Sequence, residues 1–418
     1  MARKWAAAAV GVYLISAAFM YWYLFYGASG AIPSGLKGTA ADPATFLNGR
    51  ELLLSEHYSK IRNFIFFLST PYEWLFYFLV LISGLSRVFE RWAISSSKWK
   101  ALQTAVYLFW LSLLSFVVSF PFDYVSYAYS KSYHISTQSF SSWMKDNIID
   151  FWVSFGTMFI LAGVIYWLMK KSAKKWWLYA WLLSIPFSLF MMFVQPVIID
   201  PLYNDFYPLK DKNLETKILS MAQKAHIPAD HVYEVNMAKK TNSLNAYVTG
   251  IGSNSRIVLW DTTLKKLNDK EIMFIMAHEM GHYVEKHIYY GIAGYLVLTF
   301  AGLWLIAKLM DFLVRKRGKL LQLSDVSSLR SLPLFLLLAG VLLFASSPLT
   351  NYASRYQETR ADQYAMKMTH DRNSAVKTFQ ELTRAGLSEV NPPLLVKWFR
   401  YTHPAMLDRI TTASQYKK

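Results

Sequence analysis

The sequence predicts a mainly α-helical integral membrane protein with seven spanning helices, and three observations carry that class. Hydrophobic residues make up 54% of the 418 residues and aromatic ones 17%, against 17% charged, a balance unusual for a soluble chain. The apolar residues gather into seven stretches, each near the roughly 20 residues that a helix needs to cross about 30 Å of hydrocarbon. The polar residues gather into two blocks, 200–287 and 350–418.

Taken in order, Trp5 to Tyr26 is the first stretch, preceded by Arg3 and Lys4. A cleaved signal ending near Ala28-Ser29-Gly30 is the competing reading. The run is too long for a signal core and six more spans follow, so an uncleaved first helix is expected. Gly30 to Asp42, with its Gly, Pro, Ser and Ala, is expected to be a flexible loop. Phe66 to Leu85, Ala101 to Phe120, Phe151 to Met169 and Trp176 to Ile199 supply spans two to five and complete a membrane segment over 1–199. Pro121, Pro186, Pro333 and Pro348 lie in or beside spans, where a membrane helix tolerates them. Tyr21-Trp22-Tyr23 and Trp176-Trp177 suit the headgroup level.

Within the first polar block, 200–287, Asn213 to Ala225 reads as a helix and Val232 to Val235 as a strand. Ala246 to Thr249 with Arg256 to Trp260 reads as a hairpin turned by Gly250, Gly252, Ser253 and Asn254. Asn268 with Glu271 three residues on resembles a capping box. No proline follows before the sixth span, so the helix is expected to run from Asn268 into the membrane. Ile288 to Met310 and Leu332 to Leu349 are spans six and seven, over 288–349, and 350–418 is the second polar block. The other loops are too short to fold alone, so a soluble site is expected to be built from the two blocks. No internal repeat or low-complexity tract interrupts this order.

The net charge of +17 sits largely in short loops beside spans. Anionic lipid headgroups, and no nucleic acid, are the partners it implies. Cysteine is absent, which excludes disulfides and thiolate chemistry.

The chemistry begins at His278-Glu279-Met280-Gly281-His282. Residues four apart share a helical face, so the two imidazoles can converge on one ion while Glu279 reaches a water beside it. Zinc in a catalytic site takes three protein ligands, so a third must come from elsewhere. In the second block, Asn351, Arg355, Glu358 and Asp362 are spaced by four, three and four, which makes one polar stripe on a helix. In isolation a solvated face explains that stripe equally well. The upstream motif needs a carboxylate, and Glu358 is then the third ligand, with Asp362 one turn on placed to orient an imidazole.

The motif at 278–282, the Asn351 to Asp362 stretch, His403-Pro404, Asn245-Ala246-Tyr247 and the segment Pro201 to Leu209 together resemble the membrane-embedded zinc metallopeptidases of the CAAX prenyl protease family, which are of gluzincin type. The resemblance implies a barrel of seven helices around a chamber, capped by a zinc domain of helices and a small sheet, with one Zn²⁺ per chain. It implies that Asn245, Ala246 and Tyr247 form an edge strand on which a peptide substrate lies, that His403 stabilises an oxyanion or aligns the substrate, and that Arg355 and Arg409 hold carboxylates behind the ligands. Glu279 is then the general base.

The remaining histidines, His57, His134, His226, His231 and His370, are read as surface or packing residues, with His287 the exception to watch. Substrates implied are CAAX-like, prenylated C-terminal peptides or, more broadly, membrane-associated peptides. The short N-terminus and compact loops look bacterial and favour the broader class in a plasma membrane. A channel, transporter or scaffold retaining the fold without catalysis is the alternative of another kind. The basic loops around Arg87, Lys98, Lys170, Lys175, Arg315 and Lys319 put both polar blocks outside by the positive-inside rule, whereas the resemblance implies the cytosolic side.

Overall fold

The seven apolar stretches become seven helical spans of 26 to 41 residues, longer than the roughly 20 residues that a bilayer requires. The computed structural model describes residues 2–28, 30–249 and 256–417. The first helix, α1 (Ala2–Trp22), is extended by a π turn at Tyr23–Gly27. A capping box between Asn48 and Glu51 starts α2 (Gly49–Ile82), and its 34 residues rise about 50 Å, so its first turns project out of the membrane. The short α3 (Leu85–Ser96) lies between α2 and α4 (Lys100–Ser132), followed by α5 (Phe140–Lys171) and α6 (Trp176–Val194). Pro71, Pro121 and Pro186 sit inside helices without ending them.

The first polar block contributes α7 (Asp200–Tyr203), β1 (Phe206–Pro208), α8 (Lys212–Lys224), β2 (Val232–Val235), β3 (Ala246–Thr249), β4 (Arg256–Trp260), α9 (Asp261–Lys266) and α10 (Asp269–Val284). The strands form one sheet in the order β1-β2-β4-β3. β2 and β4 are parallel, with Val232 opposite Ile257, while β3 and β4 are antiparallel, with Ala246 opposite Leu259. β3 is thus an edge strand of the sheet. The turn assigned to Gly250, Gly252, Ser253 and Asn254 lies outside the described residues.

Next come α11 (His287–Leu321), α12 (Leu332–Thr369), α13 (Arg372–Gly386), α14 (Leu394–Phe399) and α15 (Met406–Gln415). Among the spans, α2 packs on α4, α4 on α5, α5 on α6, α6 on α11, α11 on α12 and α12 back on α2, with α1 against α2. A ring closed in this way is a barrel. Between α2, α4, α5 and α12 the ring holds a cavity of about 360 Å³, with Tyr77, Leu111, Ser115, Asp123, Asp150 and Leu336 in its wall.

Three expectations need correction. The helix begun at Asn268 does not continue into the membrane: Lys286 adopts a left-handed conformation (φ 57°, ψ 32°) between α10 and α11. No Gly or Pro announces that break, which costs a lysine about 1–2 kcal/mol. Conversely, the limit drawn between 349 and 350 falls inside α12, which carries the seventh span unbroken into the polar lobe. The segment after α1 is more than a flexible loop. Ala41 is buried among Phe274, Ala365 and Phe379, and the Gln380 side-chain amide donates to the Ala40 carbonyl at 2.8 Å. Residues 135–137 also bond to the polar lobe, through Thr137 N–H to Lys240 and Asn242 N–H to Ile135. The lobe therefore draws on two membrane loops besides the two blocks.

Candidate active site

α10 starts at a capping box, with the Asn268 side chain accepting from Glu271 N–H and the Glu271 carboxylate accepting from Asn268 N–H. It lies along α12 because the contact is lined by small residues. Ala277, Ala361 and Ala365 are fully buried there. At Gly281 a β-carbon would meet the Tyr364 Cβ at 3.1 Å and the Ala361 Cα at 3.2 Å. The glycine of the motif thus sets how closely its two histidines approach the stripe on α12.

That stripe faces inward, with Asn351, Glu358 and Asp362 buried, which removes the solvated-face reading. His278, His282 and Glu358 each bring one ligand atom within 4.8 Å of the others. The two imidazole Nε2 atoms are 3.2 Å apart. Glu358 Oε2 is 3.2 Å from His278 Nε2, and its Oε1 is 3.4 Å from His282 Nε2. For a tetrahedral ion with bonds of about 2.0–2.1 Å, neighbouring donors stand about 3.3 Å apart, the edge of the tetrahedron. Among the described residues no well-oriented donor reaches the buried Glu358 Oε2, although the Nε2 atoms of His278 and His403 lie 3.2 and 3.4 Å away. Buried acceptors are seldom left so, and the donor set fits a metal ion.

Behind His278, its Nδ1 lies 2.8 Å from Asp362 Oδ1, which keeps the proton on Nδ1 and the lone pair on Nε2. Arg409 in turn donates from Nε and Nη2 to both oxygens of Asp362, at 2.8 and 2.6 Å, and rests on the Phe379 ring at 4.4 Å. Behind His282 stands a second series. The break at Lys286 brings His287 Nδ1 to 2.9 Å from His282 Nδ1. In a continuous helix, residues five apart point about 140° from one another. Glu285 lies 3.7 Å from His287 Nε2 and takes two hydrogen bonds of 2.9 Å from Arg360. Sequence reasoning missed Glu285 and Arg360 altogether.

Electrostatics follow from this packing. Burial would depress His278, but the carboxylates of Asp362 and Glu358 outweigh it and raise the imidazole to about 10. Burial, then the charge on His278, lowers His282 to about 4. Burial raises the Glu279 carboxyl to about 7.

A cavity of about 460 Å³ opens on the site, with His278, Glu279, His403, Asn245 and Ala246 in its wall. His403 is exposed, its Nε2 3.4 Å from Glu358 Oε2 and its Nδ1 3.0 Å from Thr402 Oγ1. Asn351 and Arg355 do not hold carboxylates. Arg355 Nη1 donates to the carbonyls of Lys397 and Tyr401 at 2.6 and 2.7 Å, and Asn351 Nδ2 donates to the Trp398 carbonyl at 2.9 Å. Both tie α12 to the segment that leads to His403, and of the two arginines only Arg409 meets a carboxylate, that of Asp362. Just before β3, the Asn245 carbonyl accepts from Trp260 N–H at 3.1 Å. By ladder alternation Tyr247 faces β4 next, which leaves the backbone groups of Ala246 and Val248 on the side that no described strand covers. Asn245 and Ala246 reach the cavity, whereas Tyr247 does not line it.

Residues 208–417 match the family model of peptidase family M48, and residues 36–205 match that of the CAAX prenyl protease N-terminal, five membrane helices. The second match contains α2, α4, α5 and α6 and starts after α1. The chain is 54% identical to the uncharacterized metalloprotease YhfN of Bacillus subtilis, over 99% of this chain and 97% of that one. It is 28% identical to CAAX prenyl protease 1 of Saccharomyces cerevisiae over 74% and 71% of the two chains. The crystal structure of S. mikatae Ste24p is similar over 98% of this chain and 97% of its own, with a TM-score of 0.81 at 23% identity.

Proposed function

The chain belongs to peptidase family M48 and is a multi-pass membrane metalloprotease, and on that premise we propose that it is a zinc endopeptidase in which His278, His282 and Glu358 hold the ion and Glu279 is the general base. The observation that carries the reading is the convergence of three donors at separations of 3.2, 3.2 and 3.4 Å. Two imidazoles and a carboxylate are a common ligand set of catalytic zinc. Membership of a peptidase family sets aside the channel or scaffold alternative.

Bound zinc supplies a Lewis acid that polarises the scissile carbonyl and lowers the pKa of water. Glu279, in the cavity wall beside His278, takes the proton of the attacking water and passes it to the leaving amine. Burial raises that carboxyl above its ordinary range, which strengthens it as the proton acceptor in that exchange. His403 Nε2 faces the same space and donates to the carbonyl oxygen as it gains charge. Asp362, clamped by Arg409, keeps the ring of His278 in place, and His287 does so for His282. The peptide extends β3 through the backbone of Ala246 and Val248, an added strand at a sheet edge.

The substrates are membrane-associated peptides, among them CAAX-like C-termini, in a bacterial plasma membrane whose lipids surround the barrel. Glu279→Gln tests the mechanism: metal content is retained while turnover falls by about 10²–10⁴-fold, and a variant with wild-type turnover removes Glu279 from it. Single cysteines placed between Asp261 and Asn268 read the orientation in a chain that has no native thiol. They react with an impermeant reagent from outside if the basic loops govern, and only from the cytosol if the lobe faces that side.

A further inference from the structure

The cavity at the metal site carries two guanidinium groups for which hydrolysis has no use. Arg62 on α2 and Arg400 between α14 and α15 share its wall with His278, Glu279 and Asn245. Arg409, also in that wall, is neutralised by Asp362. The arginine ion pairs among the described residues belong to Arg330, Arg360, Arg384 and Arg409, so Arg62 and Arg400 enter the cavity without a carboxylate. Both are held in place. Arg400 Nη1 donates to the Asn63 side chain and the guanidinium stands 5.7 Å from the Phe66 ring, while Arg62 stands 5.7 Å from the Tyr58 ring. Burial, and after it the charge of Arg62, lowers Arg400 to about 10. Arg62 is exposed and Arg400 half-buried, so the wall presents two positive groups with no carboxylate among the described residues to neutralise them, and an arriving anion is attracted to both.

The direction of the edge strand says which anion. The cavity covers Ser243, Leu244, Asn245 and Ala246, the approach to β3 and its first residue, and stops short of Tyr247. A peptide lying antiparallel on β3 delivers its C-terminal residues to that end. We propose that Arg62 and Arg400 form a receptor for the C-terminal carboxylate of the substrate. Paired guanidinium groups match a carboxylate in charge and in geometry. This assignment rests on the peptidase reading above and adds to it a residue-level source of specificity.

The test uses the purified full chain with zinc and a pair of fluorescent apolar octapeptides of one sequence, one a free acid and one a C-terminal amide. Binding is measured by anisotropy in Glu279→Gln, where nothing is cut. The free acid binds about tenfold or more tighter than the amide. Arg400→Gln and Arg62→Gln, each added to Glu279→Gln, bring that ratio toward one. Among the described residues Arg62 donates no hydrogen bond that its substitution would remove, so its variant serves even where loss of the Arg400–Asn63 bond unfolds the chain. In the active enzyme the amide raises KM by a similar factor while kcat changes little. Equal affinity for acid and amide overturns the proposal. So does an amidated peptide ending in Asp that binds as tightly as the free acid, since the pair would then read a side chain. Because binding is read without hydrolysis, absence of cleavage counts against Glu279 and the metal site, and leaves the arginine pair to be judged on its own ratio.

Discussion

Gly281→Ala places a methyl group 3.1 Å from the Tyr364 Cβ and 3.2 Å from the Ala361 Cα. Carbon atoms rest at about 3.5–4.0 Å, so α10 and α12 must part by roughly 0.5 Å, and neither obstacle is the movable end of a side chain. Alanine gains about 1 kcal/mol over glycine within a helix. Overpacking costs about 1–3 kcal/mol, which leaves a net loss of about 0–2 kcal/mol. The sharper effect falls on the metal, because Glu358 rides on α12 and both histidines on α10. Adding about 0.5 Å to donor separations of 3.2–3.4 Å exceeds the ±0.2 Å that a zinc site accepts, and zinc affinity falls by about tenfold or more. Gly291, where a β-carbon meets nothing within 4 Å, is the control: Gly291→Ala leaves zinc affinity alone and raises Tm. Competition with a chromophoric chelator measures the first quantity and a thermal scan the second. A Gly281→Ala protein that binds zinc like the wild type and melts like Gly291→Ala would refute the close-approach argument.

Metal binding should be coupled to protons. With the carboxylates of Asp362 and Glu358 beside it, His278 is raised against burial to about 10 and holds its proton at neutral pH, yet a ligand imidazole must be neutral. Each zinc therefore displaces about one proton from His278 between pH 8 and 9, and affinity rises about tenfold per pH unit, read by calorimetry in buffers of different ionisation enthalpy; a slope near zero contradicts it. Activity has an acid limb for the opposite reason. Glu279, raised to about 7 by burial, acts as a base only when ionised, and the charge of a bound ion pulls its titration lower, so kcat/KM falls as the pH drops below about 7 and not as it rises. Arg355→Ala releases the carbonyls of Lys397 and Tyr401 and with them the segment carrying His403. It should lower kcat/KM about 10–100-fold at full zinc content, whereas loss of zinc would show that Arg355 serves the ligands instead.

Much of this was legible in the sequence for one reason: helical periodicity is fixed. Two histidines four apart and a carboxylate in a stripe spaced by four, three and four specify faces before any coordinates exist, and the run lengths specify spans. What escaped depended on how helices end and meet. The left-handed Lys286 carries none of the Gly or Pro signals of a helix end, so His287 looked out of phase with His282. Arg355 shares its stripe with Glu358, but spacing cannot say that its partner is backbone at Lys397 and Tyr401. The segment around Ala41 reads as loop by its Gly and Pro content, although Ile32, Leu36 and Phe46 pack on the lobe. Arg62 stands on a membrane helix more than 330 residues from Arg400, and no local pattern joins them.

Metal analysis of purified Glu358→Ala beside the wild type tests the central claim most directly. A carboxylate from α12 completing the grip of two imidazoles on α10 predicts about one zinc per wild-type chain and almost none in the variant, with the far-ultraviolet helix signal of both alike. A Glu358→Ala chain that keeps a full equivalent of zinc would contradict it.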